Sequence, residues 1–316
     1  MNKIKKFIVI LAVLLVLMPA EAFAAGDIDT SRNCSITLNC VYGEKKLEGM
    51  EFELYRIASV SKDGSYTPTE DFAACAPDLN FTDQQQWRDL AAFLPAYIGR
   101  NSIGFYDKSS SDTEGKVHFS SDGRRLLPGL YFISGRVTQD EDKLYIPQPV
   151  IISLPGRDAE SGDWIYDPVI NAKFQVNDAE VSLVSRRVIK IWDDKGREAS
   201  RPDSIKVELY RNKELFDSVV LNEENGWSHE WKKLSAAYDY SVLEEPLRSY
   251  NADYSKDGEC FVITNCPKTG GAGGGTGGGR LPQTGTGMHL VPVFSLAGLI
   301  FILLGLILNR RKDEKD

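Results

Sequence analysis

Three histidines and five cysteines are the side chains in this 316-residue chain that could most readily ligate a metal or act as nucleophiles. His118, His229 and His289 are scattered, and no HExxH, GxSxG or GxxxxGK[ST] string occurs, so zinc-hydrolase, serine acyl-transfer and P-loop chemistry lack their parts. Cys34, Cys40, Cys75, Cys260 and Cys266 leave an odd thiol. The pairs 34/40 and 260/266 are six residues apart. Along one straight strand that is about 20 Å, beyond the roughly 7 Å Cα limit for a bridge. Pairing across strands or with Cys75 stays open, and no disulfide is assigned. Asp107, Ser109 and Ser111 have the DxSxS spacing of metal-dependent adhesion sites. Those sites sit in a nucleotide-type α/β fold that this pattern does not predict, so a polar loop is expected there. No metal, no cofactor and no turnover enzyme are expected.

The elements that must position any chemistry read as β-strands. Between residues 25 and 176, short alternating or apolar runs at 35–38, 50–57, 116–119, 129–133, 150–154 and 164–174 are separated by turn signals, a spacing that suits a sandwich. One segment breaks the pattern. Thr82-Asp83-Gln84-Gln85 reads as a capping box, and Trp87, Leu90, Ala91 and Leu94 then share a helical face, which predicts a short helix ending near Pro95. From 177 to 267, strands are predicted at 187–192, 204–210, 218–221, 227–231, 238–243 and 260–264. No strand alternates with a long helix, which argues against a parallel α/β enzyme fold. The expected fold is all-β, two tandem sandwiches with one helical insertion.

The two ends look like addresses. Lys3, Lys5 and Lys6 precede an apolar run from Phe7 to Met18, then Pro19 and the small-x-small site Ala22-Phe23-Ala24, predicting a signal peptide over 1–24. At the other end a glycine-rich linker (268–280) leads to Leu281-Pro282-Gln283-Thr284-Gly285, an apolar span (288–308) and a basic tail (309–316). The chain carries a net charge of −8 and its removable ends are net basic, so the exposed middle is more acidic still. Phosphate backbones need clustered Lys and Arg, which sets nucleic acid aside as a partner.

The order of motif, span and basic tail resembles the LPXTG sorting signal of Gram-positive surface proteins. The resemblance implies cleavage by a sortase between Thr284 and Gly285, transfer of the threonyl carbonyl to an amine, and a secreted, wall-anchored product. Peptidoglycan or neighbouring pilin subunits are the implied acceptors. Residues 177–267 resemble the Cna protein B-type domain, an immunoglobulin-like sandwich of stalks and pilins. The resemblance rests on Val188-Ile189-Lys190-Ile191-Trp192-Asp193-Asp194, Arg201-Pro202, Val207-x-Leu209, Asn225-Gly226-Trp227, Tyr240-x-Val242-x-Glu244 and Ile263-Thr264-Asn265. That family implies an intramolecular isopeptide bond between Lys190 and Asn265 with Glu244 as the catalytic acid. Strand parity agrees: each shares its face with apolar neighbours, Val188, Val242 and Ile263 among them.

Leu127-Pro128-Gly129-Leu130-Tyr131-Phe132-Ile133 resembles the family's late strand, but Ser134 stands where an acid is expected and no early Lys precedes it, so no bond is expected in the first sandwich. That half also resembles the N-terminal domain of major pilins, through Pro149 to Pro155 and Trp164-x-Tyr166-Asp167. Their motif places a Lys nine positions after a Trp, which here is Lys173 after Trp164, although Asn171-Ala172 replaces the usual Tyr-Pro and Pro168 the usual valine. The implied role of Lys173 is the amine that accepts the next subunit. The implied function is a sortase-processed pilin subunit with cell-adhesion context. The alternative is a singly anchored adhesin or ancillary pilin whose first half recognises a host or bacterial surface ligand.

Overall fold

Both faces of the central sheet of the first half are covered. β1 (Ile36–Asn39), β2 (Glu51–Val60), α1 (Gln84–Asn101), β3 (Lys116–Phe119), β4 (Gly129–Gly135), β5 (Lys143–Pro147), β6 (Val150–Leu154), β7 (Val169–Asn171) and β8 (Phe174–Asp178) are its main elements. β4 lies between β2 and β6 in an antiparallel sheet. β1 pairs parallel with β7 and antiparallel with β3 in a second sheet. β5 joins β8 in a third. Phe52, Leu54, Tyr131 and Ile133 face a core shared with Ile36, Leu38, Val117 and Phe119. Tyr55, Ile57, Leu130 and Phe132 face the other way, onto Leu90, Leu94 and Ile98 of α1. A two-sided sheet therefore reads as a continuous apolar run at 129–133, each buried side chain contributing roughly 1.5–3 kcal/mol.

The computed structural model describes residues 26–76, 79, 81, 83–120, 125–158, 161–179, 183–194 and 196–268. The signal peptide at 1–24, the linker beyond Lys268, the sorting motif at 281–285, the span at 288–308 and the tail at 309–316 lie outside them. Among the described residues no helix is long and apolar enough to cross a membrane.

The second half holds β9 (Leu183–Trp192), β10 (Ser204–Arg211), β11 (Glu214–Asn222), β12 (Ser228–Ser235), β13 (Tyr240–Glu244), β14 (Tyr250–Asp257) and β15 (Cys260–Pro267). One sheet runs β12-β9-β15-β14 and the facing sheet β11-β10-β13. Val188, Val207, Leu209, Leu221, Val242, Phe261 and Ile263 fill the space between them. The first and last strands, β9 and β15, are parallel neighbours, with Lys190 opposite Ile263 and Trp192 opposite Asn265. The chain is thus all-β, two immunoglobulin-like sandwiches with a helix inserted in the first.

Three local expectations are corrected. Asp83, not Thr82, is the N-cap of α1, with its side chain on Gln85 N–H and the Gln86 side chain reaching back to its own N–H; Thr82 lies outside the described residues. The helix also does not end near Pro95 but continues to Asn101. Proline forfeits one main-chain hydrogen bond, yet the following turn buries Ala96 and Ile98, and that packing outweighs the loss. The predicted strand at 164–174 divides into Trp164–Ile165, β7 and the start of β8.

Candidate functional site

Parity along β9, β13 and β15 aims three polar side chains into the apolar centre of the second sandwich. Lys190 follows Val188 inward, Asn265 follows Phe261 and Ile263, and Glu244 follows Tyr240 and Val242 from the opposite sheet. The Lys190 and Glu244 side chains are 0% and 2% exposed, and Nζ lies 3.6 Å from Oε2. Asn265 is buried and its Nδ2 donates to Glu244 Oε1 at 2.7 Å. Lys190 Nζ donates to the carbonyl oxygens of Ile191 at 2.9 Å and Ile263 at 3.3 Å.

Burial decides the protonation states. Desolvation pulls the Lys190 amine down to about 8 against the opposing attraction of Glu244. Desolvation likewise raises the Glu244 carboxyl, against the Asn265 hydrogen bond and the Lys190 charge. A neutral amine beside a neutral acid becomes accessible. At pH 7 an amine titrating near 8 is neutral in about one chain in ten, against about one in three thousand at the ordinary value. Glu244 Oε2 and Asn265 Oδ1 are both buried without a hydrogen-bond partner. Reversing the Asn265 amide would bring its oxygen to a protonated Glu244, since amide nitrogen and oxygen exchange places at equal reach.

Aromatic rings close the end of the core above these groups. Lys190 Nζ sits 4.3 Å over the Trp192 ring, which meets Trp227 and Tyr250 edge-on at 5.2 and 5.1 Å. Asp194 is held by Arg201 at 2.6 and 2.8 Å, and this ion pair pins the chain leaving β9 beside the ring cluster. Together these exclude water from the amine.

The remaining sequence-derived residues fall elsewhere. Lys173 is exposed in the link between β7 and β8, its carbonyl accepting Gln148 N–H at 2.8 Å. Trp164 Nε1 donates to the Gly26 carbonyl at 2.6 Å and the Tyr166 hydroxyl accepts Asp29 N–H at 2.8 Å, so this motif ties down the start of the described chain. Leu281, Pro282, Gln283, Thr284 and Gly285 lie outside the described residues. Asp107 and Ser109 belong to a strand, Asp107–Ser110, on the edge of β2 rather than to a loop. Ser111 Oγ donates to Leu47 O at 2.6 Å and accepts from Met50 N at 2.9 Å, which is knitting, not ligation. Among the described residues no group of His, Cys, Asp and Glu could hold a metal. All five cysteines are free thiols. Ser134 sits opposite Glu53 in register, and the buried polar side chains described in the first half are Ser111 and Ser134.

Sequence reasoning missed two residues that hold Glu244. Arg100 of α1 donates from Nη1 to its main-chain oxygen at 2.8 Å, and the Tyr254 hydroxyl accepts its main-chain N–H at 3.1 Å. No local pattern announces the Arg100 contact, made across 144 residues.

Residues 186–266 match the family model of the Cna protein B-type domain. A stretch of 94 residues, 29% of the chain, is 38% identical to the collagen adhesin of Staphylococcus aureus and spans 7% of that much longer protein. Among solved structures, the chain is similar to one B repeat unit of the S. aureus collagen-binding surface protein (17% identity, 75% of this chain and all of that one, TM-score 0.27). It is also similar to the major pilin SpaA of Corynebacterium diphtheriae (12% identity, 70% and 61%, TM-score 0.32) and to the basal pilin SpaB of Lactobacillus rhamnosus GG (12%, 45% and 95%, TM-score 0.30). Scores of this size carry no weight for the whole chain; it is the family model that assigns the second sandwich.

Proposed function

We propose that the chain is a sortase-processed, wall-anchored pilin subunit of a Gram-positive surface, stabilised by one isopeptide bond in its second sandwich. The burial of Lys190, Glu244 and Asn265 together in an apolar core supports this reading most directly. Three polar groups shut away from water would be a liability unless paired or consumed, and the bond consumes two of them. The neutral Lys190 amine adds to the Asn265 carboxamide carbon while the Glu244 carboxyl hydrogen-bonds the developing oxyanion. Glu244 then passes a proton from the attacking nitrogen to the departing one. The Cγ–Nδ2 bond breaks, a Cγ–Nζ amide forms and ammonia leaves. Glu244 acts once, so this is general acid–base chemistry without turnover.

Sortase processing would cut Thr284–Gly285 and hand the threonyl carbonyl to an amine, Lys173 of a neighbouring subunit or peptidoglycan. Exposure of Lys173 is compatible with the first acceptor. Intact mass spectrometry tests the internal bond: the chain should be about 17 Da lighter than its sequence mass, the ammonia lost in the condensation. An unshifted mass would refute it.

A second reading has its own support. The 38% identity is to a collagen adhesin, which favours a singly anchored adhesin or ancillary pilin presenting its first half to a host surface ligand. Covalent ladders that depend on Lys173 support the pilin subunit, whereas a single wall-bound band supports the adhesin.

A further inference from the structure

α1 belongs in sequence to the first sandwich, yet residues from Asp89 to Arg100 also pack against the second one. Phe93 stacks on Tyr254 with ring centroids 4.4 Å apart and planes 26° from parallel. Ala96 packs with Tyr210 and Leu243. Asp89 Oδ1 accepts the Lys256 N–H at 3.1 Å. Gly99 approaches Lys213 so closely that a Cβ would sit on its carbonyl oxygen. Arg100 then forks, with Nε and Nη2 on Glu208 Oε2 at 3.1 and 2.8 Å and Nη1 on the Glu244 carbonyl oxygen at 2.8 Å.

Among the described residues β13 is an edge strand, paired with β10 alone. Glu245 N–H bonds to Lys206 O across that pair, so the N–H and C=O of Glu244 face the open side. Both are taken: the oxygen by Arg100, and the N–H by the hydroxyl of Tyr254, the ring that Phe93 covers. An unpaired main-chain group at a buried edge forfeits its hydration without return, so these contacts fix the backbone from which the Glu244 carboxyl projects.

We propose that Arg100 is a positioning residue for the Lys190–Asn265 cross-link, so that the second sandwich closes its bond efficiently only once α1 of the first has docked on β13. The inference rests on the isopeptide reading above. The groups facing Glu244 are Lys190 from β9, Asn265 from β15, Arg100 from α1 and the Tyr254 hydroxyl from β14. Of these, Arg100 and Lys190 are the cations, and the guanidinium favours the ionised carboxylate.

The full chain, isolated unfolded in denaturant and refolded by dilution into detergent buffer across a pH series, reports bond formation as the 17 Da loss against time. Arg100→Met should slow the loss about tenfold, the scale of one charge-assisted hydrogen bond. It should also move the limb of the rate profile that Glu244 ionisation sets to higher pH, because Glu244 loses a cation that favours its ionised form. Arg100→Lys, which keeps a charged donor, should restore the limb and most of the rate. A wild-type rate and profile in Arg100→Met would overturn the proposal. So would an equal loss at every pH that lysine does not rescue, which marks a merely structural contact. If the wild-type chain itself shows no loss, the isopeptide reading fails instead.

Discussion

Asn265 Nδ2 lies 2.7 Å from Glu244 Oε1 in a site closed to water, while the second carboxylate oxygen, Oε2, has no hydrogen-bond partner. A carboxyl with one engaged and one idle oxygen is placed to exchange a proton with the amide it touches. Glu244→Gln keeps the shape and the contact but removes the exchangeable acid. The variant should fold, hold its full sequence mass, and lose the closure of a loop of about 75 residues, on the order of 4 kcal/mol. Paired intact-mass and urea-unfolding measurements check this; a lighter mass in the variant would remove Glu244 from the chemistry.

The rate of bond formation should rise with pH on the acid side. Lys190 must be neutral to attack, and its amine is held near 8, so below that value the rate should climb about tenfold per pH unit for as long as Glu244 stays protonated. It should turn over where the raised Glu244 carboxyl finally ionises. A rate that nowhere rises with pH on the acid side would show that Lys190 deprotonation does not limit the reaction.

Lys173 stands exposed between β7 and β8. In a host that carries a pilus-assembling sortase, Lys173→Ala should abolish high-molecular-weight ladders on a denaturing gel and leave the internal 17 Da loss unchanged. Persistent ladders would assign the acceptor amine elsewhere.

Gly99 tests the joint between α1 and the second sandwich. The Lys213 carbonyl that a new methyl would strike is main chain and cannot swing aside. Gly99→Ala should therefore destabilise the folded chain by about 1–3 kcal/mol despite alanine's better helix propensity. Thermal unfolding measures it, and an unchanged or raised Tm would mean that the joint yields.

The cysteines predict an insensitivity. Cys34 and Cys40 are buried, and desolvation pushes their thiols up to about 11 and about 12, so neither is readily a nucleophile. Reductant should leave Tm unchanged, and thiol reagents should label Cys34 and Cys40 only on unfolding. A Tm lowered by reductant would reveal a bridge.

Lys190, Glu244 and Asn265 are legible in sequence through the resemblance to the Cna B-type motif, with which the period of two agrees, since each sits two residues from an apolar neighbour on its strand. β14 is not, because Tyr250-Asn251-Ala252-Asp253-Tyr254-Ser255-Lys256-Asp257 presents so few apolar residues that it reads as a polar connection. Its inward side chains Tyr250, Ala252 and Tyr254 do alternate, but Tyr250 meets Trp192 and Tyr254 stacks on Phe93 of α1, partners that no local pattern marks. The extent of α1 is hidden for a related reason. Pro95 is a stop signal locally, and the surfaces that receive Ala96, Ile98, Gly99 and Arg100 explain why the helix passes it. Contacts that join the two sandwiches have no sequence period to betray them.

The parallel pairing of β9 with β15 sets how the second sandwich would stretch. The chain enters along one strand and leaves along its neighbour in the same direction, so a pull on the two ends shears adjacent strands. Between Lys190 and Asn265 lie 74 residues, which if unravelled would add roughly 250 Å of contour length. With Nζ of the first strand joined to the side chain of the last, tension would bypass that slack. A fibre built from such units would hold its length under load and pass force from one subunit to the next instead of absorbing it by unfolding.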